Sequence, residues 1–177
     1  ERFKARVMAA MEPAIRGICR DLFAGAAEAG DVEFVHEVTS GLPSRVIGEL
    51  MGLPEEDWSR IHEMAERNTS GQDDDYGSAD TTGASVDMAM YAIEFVARRR
   101  VEPVREDLTS FILGSDFNGH PMDDIDFAKF FVQLVTAGND TTKTMLSSGL
   151  LALLDHPDQL ARLRADRSLV PGAVEEI

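Results

Sequence analysis

Six residues in the middle of a long apolar segment have the types and spacing that could do chemistry. Residues 137–142 read Ala-Gly-Asn-Asp-Thr-Thr and have apolar residues on both sides. A glycine destabilises a helix by up to about 1 kcal/mol relative to alanine, and buried polar side chains need partners or ordered water. Asp140 beside Thr141 offers a carboxylate and a hydroxyl, a minimal pair for delivering protons. Because local and global preferences conflict in this run, the sequence indicates a functional site there.

Two residues of the run predict a local opening of the helix. Gly138 has no side chain, so a bulky group can approach the backbone. Thr141 can turn its hydroxyl towards the carbonyl of Ala137, four residues back, and loosen or bend the helix. The structural alternative is a kink with a packing glycine, and composition alone leaves both interpretations open.

The elements that must position this run are predicted to be helical, because apolar residues recur at spacings of three and four almost everywhere. The longest helix is expected over residues 123 to about 154, which at about 1.5 Å per residue span roughly 48 Å. We expect a mobile loop over residues 68–83 and no convincing strand. The other predicted helices cover an apolar stripe from Phe3 to Phe23 kinked by Pro13, residues 32–51 with a break near 41–43 and Ser44 as a cap, a segment carrying Trp58, Ile61, Met64 and Ala65, residues 85–101, residues 108–113, and the segments after Pro157 and Pro171.

Charge excludes several classes of partner. The 177 residues contain 17 Lys plus Arg and 32 Asp plus Glu, a net charge of −15. This balance disfavours nucleic acids and anionic membrane surfaces. Lys129, Asp140 and Lys143 interrupt the longest apolar tract, so we expect no membrane span.

No metal site or disulfide framework is predicted. The single cysteine, Cys19, fits a reducing cytoplasm and lies on an apolar helical stripe, which favours a buried structural thiol. Residues 36–37 and 62–63 read His-Glu but lack the second histidine of the zinc pattern H-E-x-x-H. Residues 73–75 resemble the start of a calcium loop but lack its glycine and final glutamate. The arginines at 98–100 are expected to be a solvated helix end.

Residues 137–142 resemble the A-G-x-[DE]-T-T signature in the long central I helix of cytochromes P450. Other segments resemble this family in the same order. They are residues 42–54 (the E-helix stretch), 106–110 (the start of the H helix), 156–160 (the turn into the J helix) and 174–177 (the start of the K helix). In the last of these, Glu176 would be the structural Glu of E-x-x-R.

The resemblance covers essentially the whole chain and implies a mainly α fold, the helical portion of the P450 domain. Residues 1–177 are expected to be a partial domain, from about the C–D junction to the start of the K helix. The N-terminal sheet and the haem-ligand loop are expected to lie outside it. Cys19 lacks the glycine-rich context of that loop, so no metal ligand is expected in this segment, and these residues alone should be inactive.

The resemblance implies a parent enzyme, a haem-thiolate monooxygenase that activates dioxygen and hydroxylates a small lipophilic molecule such as a steroid or lipid. Its cofactor would be haem b, its electron donor a ferredoxin or flavodoxin, and its location the cytoplasm. Asp140 would gate proton delivery and Thr141 would stabilise the activated oxygen, whereas Asn139 receives no role. Residues 68–83 would form a lid over the substrate channel. The implied haem contacts are Ala137, Gly138, Thr141 and Met145, and the implied substrate contacts are Leu134, Val135 and Ala137.

Three alternatives stay open on the residues alone. Leu134, Val135 and Met145 are equally consistent with plain core packing. The whole chain could be a non-enzymatic helical interaction domain. A P450 branch that isomerises or dehydrates without external oxygen is disfavoured by the acid–alcohol pair Asp140-Thr141.

Overall fold

A computed structural model of the chain describes residues 5–70, 81–117 and 119–177. The helices are α1 (Ala5–Ala29), α2 (Gly41–Met51), α3 (Trp58–Ser70), α4 (Thr81–Arg99), α5 (Leu108–Leu113), α6 (Asp124–Asp155), α7 (Pro157–Ala165) and α8 (Val170–Glu176). A π-helical turn, Val35–Thr39, precedes α2, and single 3-10 turns, Glu55–Asp57 and Arg167–Leu169, precede α3 and α8. The mainly α fold is as predicted.

The long helix α6 begins and ends where its flanking residues dictate. The Asp123 side chain caps the N-terminus by accepting a hydrogen bond from the backbone N–H of Asp126 at 2.7 Å. Asp124 adds a second acidic group to the first turn, which favours the helix dipole. His156 and Pro157 end the helix after 32 residues. This confirms the predicted element to within one residue at each end.

One face of α6 packs on α4 through aromatic rings. Phe127 and Phe131 on α6 meet Tyr91 and Phe95 on α4, with ring centroids 5.9 to 6.4 Å apart. All four rings are buried, as is Val135 one turn beyond Phe131. Removing one such phenylalanine side chain typically destabilises a protein by about 3–5 kcal/mol, so this face fixes the rotation of α6.

Two shorter helices cover the adjoining side of α6. Met51 on α2 and Ile61 on α3 are fully buried in the same apolar cluster. Gly48 on α2 lies directly against the Trp58 ring, where an added Cβ would come within 2.5 Å of the indole nitrogen. A side chain at Gly48 would therefore push α3 away from α2 and from the middle of α6.

A buried ion pair closes the end of α4. Arg99 is 5 % exposed and donates to both carboxylate oxygens of Asp107 at 2.9 and 3.1 Å. Its guanidinium also contacts the carbonyl of Gly52, whose positive φ of 67° favours glycine. The prediction of a solvated helix end at residues 98–100 is wrong for Arg99, because its partner Asp107 comes from the next segment of the chain.

Three further expectations need correction. Ser44 is buried inside α2 rather than capping it. A two-stranded antiparallel ribbon pairs Asp116–Phe117 with His120–Pro121, where we expected no strand. The proposed loop over residues 68–83 begins and ends in helix, since α3 continues to Ser70 and α4 starts at Thr81; the rest of it lies outside the described residues. Within the described parts of the chain, none of the helices is sufficiently long and apolar to cross a bilayer.

Candidate functional site

The polar run lies in unbroken helix at the middle of α6. The backbone is helical from Asp124 to Asp155, so Gly138 does not interrupt it. The Thr141 hydroxyl donates to the carbonyl of Ala137 at 2.7 Å, which confirms the contact predicted from the sequence. A hydroxyl bonded in this way still offers its oxygen lone pairs to a group on the helix surface.

Four of the predicted site residues share one stripe of α6. Leu134, Ala137, Thr141 and Met145 recur at spacings of three and four, which places them above one another along the helix. Ala137, Thr141 and Met145 are exposed and Leu134 is half-buried. This part of the helix therefore presents a face with small or apolar side chains to the outside of the described structure.

Val135 is on the opposite side of the helix. Two residues on a helix are about 200° apart, so Val135 and Ala137 point in nearly opposite directions. Val135 is fully buried in the apolar cluster between α4 and α6. Its full burial agrees with the alternative, plain core packing, and the substrate contact of Val135 stays a prediction.

Gly138 packs against another helix. An ideal Cβ at this position would lie 3.0 Å from the Cδ1 atom of Ile47 on α2, tighter than an ordinary contact. The bulky group that approaches the backbone is therefore the Ile47 side chain. This contact agrees with the alternative of a packing glycine, and the cofactor contact of Gly138 stays a prediction.

Asn139, to which the sequence assigned no role, anchors α6 to both neighbouring helices. It is fully buried. Its Oδ1 accepts a hydrogen bond from the Ser44 hydroxyl on α2 at 2.8 Å, and its Nδ2 donates to Glu66 on α3 at 3.2 Å. Ser44 also lies 3.1 Å from Nδ1 of His62. One buried amide thus satisfies its hydrogen bonds with two side chains from distant parts of the chain.

Lys143 connects this buried network to Asp140. Its ammonium lies 3.3 Å from Oε1 of Glu66 and 3.6 Å from Oδ1 of Asp140. Side-chain exposure rises along the series, from 16 % for Lys143 through 22 % for Glu66 to 47 % for Asp140. Asp140 is consequently the member of the group that solvent reaches most easily.

Burial changes the acidity of the histidine at the inner end. Desolvation is the largest effect and lowers the pKa of His62, and the nearby Lys143 lowers it further, while Glu66 opposes both. The lowered pKa favours the neutral imidazole, whose Nδ1 lies within hydrogen-bond distance of the Ser44 hydroxyl. His62, Ser44, Glu66 and Lys143 were not predicted as site residues. Only the i, i+3 spacing of Asp140 and Lys143 was readable from the sequence.

The remaining predicted residues lie near the C-terminal half of α6. Met145 lines an apolar cavity of about 320 Å³ between α1 and α6, together with Cys19 on α1 and Ile177. Cys19 is partly exposed to this cavity rather than fully buried. Glu176 is exposed at the end of α8.

The exposed stripe of α6 fits a flat, largely apolar group. Ala137 carries only a methyl group, and the Thr141 hydroxyl is folded back on the helix, so neither side chain obstructs the surface. Across residues 5–70, 81–117 and 119–177, three or more metal-ligating side chains do not cluster anywhere. The described residues can therefore form one wall of a site for such a group.

Comparisons with known proteins agree on one family. The chain is 30 % identical over 165 residues to a steroid C26-monooxygenase of Mycolicibacterium smegmatis, covering 93 % of the chain and 38 % of that protein. It is 32 % identical over 178 residues to the cyclomarin C epoxidase CymV of Salinispora arenicola, covering 98 % of the chain and 45 % of that protein. No protein-family profile matches.

A solved structure shows the same architecture. The cytochrome P450 CYP268A2 of Mycobacterium marinum, in complex with pseudoionone, superposes with a TM-score of 0.87 at 32 % identity. The match covers 94 % of the chain and 42 % of that protein. The chain thus spans less than half the length of the relatives that it matches.

Proposed function

The chain belongs to the cytochrome P450 family in sequence and in fold, and from this premise we propose that the whole protein is a haem-thiolate monooxygenase. Residues 1–177 would be the helical part of its single catalytic domain. The observation that carries the proposal is the middle of α6, where the half-exposed carboxylate of Asp140 adjoins an exposed Thr141 hydroxyl on an unobstructed face. The non-enzymatic alternative is disfavoured, because the named relatives are monooxygenases and epoxidases.

The residues of this chain would hold the cofactor and move protons. Bound haem b, ligated by a cysteine outside these residues, would supply the activation of dioxygen. Ala137, Thr141 and Met145 would form the wall against the haem, and Leu134 with Ala137 would contact substrate. The Thr141 oxygen, with its own proton directed at the Ala137 carbonyl, can accept a hydrogen bond from the reacting side. Asp140 can collect a proton from solvent and release it beside Thr141.

The relatives support a class of substrate and of electron donor. Two of them are named for oxidising a steroid and cyclomarin C. We propose a small lipophilic substrate of the steroid or lipid type and a ferredoxin or flavodoxin as electron donor, in the cytoplasm. Glu176 would take the structural role of the K-helix glutamate.

The test uses the full-length enzyme with Thr141→Ala. We expect haem content and substrate binding to be retained, while electrons from NAD(P)H are diverted to hydrogen peroxide. The reason is that the alanine keeps the shape of the face but removes the hydroxyl that organises proton delivery. The readout is the ratio of product to reduced cofactor consumed.

Two further variants make this test specific. Thr141→Ser keeps the hydroxyl and should keep the ratio. Thr144→Ala removes an exposed hydroxyl one turn away on the same helix and should leave the ratio unchanged. An unaltered product ratio in Thr141→Ala would contradict the role given to Thr141. A reduced carbon monoxide spectrum without the thiolate signature would contradict the family function itself.

A further inference from the structure

We propose that Glu66 on α3 is a positioning residue for Asp140. Held in place by Asn139, the Glu66 carboxylate draws Lys143 towards α3 and leaves Asp140 free to turn between solvent and Thr141. The inference rests on the proposed function, in which Asp140 delivers protons. It assigns a role to Asn139, Glu66 and Lys143, the polar residues on the buried side of the run.

The hydrogen-bond directions in this group are fixed by the acceptor at its centre. A carboxylate only accepts, so the amide of Asn139 must point its Nδ2 at Glu66 and its Oδ1 at Ser44. Ser44 has a single hydroxyl proton, which goes to that oxygen. His62 must then donate its Nδ1–H to Ser44. Along the series of hydrogen bonds from His62 through Ser44 and Asn139, every donor points towards Glu66, so the Glu66 carboxylate is held in one orientation.

This arrangement positions charges rather than conducting protons. The Asn139 amide lies between Ser44 and Glu66, and an amide does not relay a proton without leaving its stable form. Among the residues that the structure describes, Lys143 is the one that contacts both carboxylates, so the effect of the buried group on Asp140 must pass through it.

Lys143 is held more firmly by Glu66 than by Asp140. The ammonium is 3.3 Å and 3.5 Å from the two Glu66 oxygens but 3.6 Å from Asp140. Glu66 is also less than half as exposed as Asp140, so water screens its attraction for Lys143 less. His36 faces Glu66 from the other side at 3.9 Å and competes only weakly at that distance.

Removing the Glu66 charge should allow the Lys143 ammonium to pair with the Asp140 carboxylate instead. In Glu66→Gln the amide oxygen can still accept from Asn139, so the helices stay anchored. Lys143 then pairs with Asp140 and holds its carboxylate away from Thr141. We expect product formation in the full-length enzyme to slow about five- to tenfold, a part of the hundredfold or more that general acid catalysis contributes. Substrate affinity should not change, and the solvent deuterium isotope effect should increase.

Matched variants separate positioning from a structural effect. Glu63→Gln removes an exposed charge from the same helix and should have no effect on rate or isotope effect. Lys143→Met removes the competitor, so the double variant Glu66→Gln with Lys143→Met should recover the rate of Lys143→Met alone. If the effects of the two substitutions on the rate multiply instead, Glu66 does not act through Lys143.

A readout independent of turnover is a crystal structure of the full-length Glu66→Gln variant. We expect the Lys143 ammonium to move within hydrogen-bond distance of Asp140. A lysine that stays beside residue 66, or a Glu66→Gln enzyme that behaves like Glu63→Gln, would overturn the positioning role while the thiolate spectrum of the enzyme stays intact. Absence of that spectrum in the unmodified protein would overturn the proposed function, and this inference with it.

Discussion

Gly138→Ala tests whether the glycine of the polar run serves helix packing or the cofactor. The added methyl would lie 3.0 Å from Cδ1 of Ile47 and 3.8 Å from its Cγ1. Ile47→Val deletes the Cδ1 atom, so the only remaining close atom is at ordinary van der Waals distance. The two substitutions should therefore compensate one another.

The magnitudes follow from three known effects. Alanine in place of glycine stabilises a helix by up to about 1 kcal/mol, whereas overpacking a buried contact destabilises by about 1–3 kcal/mol. We expect Gly138→Ala alone to lower the free energy of unfolding by about 0–2 kcal/mol. Ile47→Val alone should lower it by about 0.5–1.5 kcal/mol. In the double variant the clash is absent, and the helix preference of alanine offsets most of the stability lost with the Ile47 methyl. We therefore expect a favourable coupling energy of about 1–3 kcal/mol between the two substitutions.

The assay is a urea titration of the full-length protein in each background, followed by helical circular dichroism. Gly17→Ala on α1 is the matched control, because an added Cβ there meets no atom within 4 Å. Gly17→Ala should raise the free energy of unfolding by the same amount whether residue 47 is Ile or Val. Equal effects of Gly138→Ala in both backgrounds would refute the close approach of Ile47 as the reason for the glycine.

The same variants discriminate between the two interpretations of Gly138. If the glycine serves packing, the stable double variant should bind a full complement of haem and convert electrons to product with unchanged efficiency. If the double variant regains stability but loses haem or releases peroxide, Gly138 belongs on the cofactor face after all.

Two further predictions concern buried charges elsewhere in the fold. Arg99→Met leaves the Asp107 carboxylate buried and unpaired, so it should lower the free energy of unfolding of the full-length protein by about 3–5 kcal/mol in urea titrations. Arg16→Ala removes one partner of an exposed ion pair and should change the free energy of unfolding by less than about 0.5 kcal/mol. Burial lowers the pKa of His62 below its ordinary value of 6.5. Between 6.5 and the folded-state pKa, the unfolded chain therefore binds a proton at His62 that the folded chain does not bind. The free energy of unfolding should fall as pH drops through this range. His62→Gln, which keeps a donor for Ser44, should flatten this pH dependence of the urea midpoint, and an unchanged slope would count against a buried neutral histidine.

Local rules predicted the parts of the site that depend on neighbours in sequence. The extent of α6 follows from apolar spacing, an Asp cap and a terminating His-Pro. The bond from Thr141 to the Ala137 carbonyl follows from the four-residue spacing. The family motifs carried the fold, because their order along the chain limits the arrangement of helices.

Partners from distant segments could not be predicted in the same way. A helix with apolar residues on nearly every side has no periodicity that tells which face is core, so Val135 was placed with Ala137 although the two lie on opposite sides. Three consecutive arginines look solvated, yet the middle one meets Asp107 across a turn. Asn139 offered no signal at all, because its partners depend on how α2 and α3 cross α6.

The polar run divides into two halves by helix rotation rather than by sequence order. Gly138 and Asn139 face α2 and α3, where the glycine permits close packing and the amide joins three helices. Asp140 and Thr141 follow by one and two residues, which rotates them by about 100° and 200° from Asn139 onto the open side. A buried polar group is tolerated only when its hydrogen bonds are satisfied, and Asn139 meets that condition through α3. Any displacement of α3 that breaks its bond to Asn139 also moves the partner of Lys143, so the placement of α3 and the freedom of Asp140 are set by one buried contact.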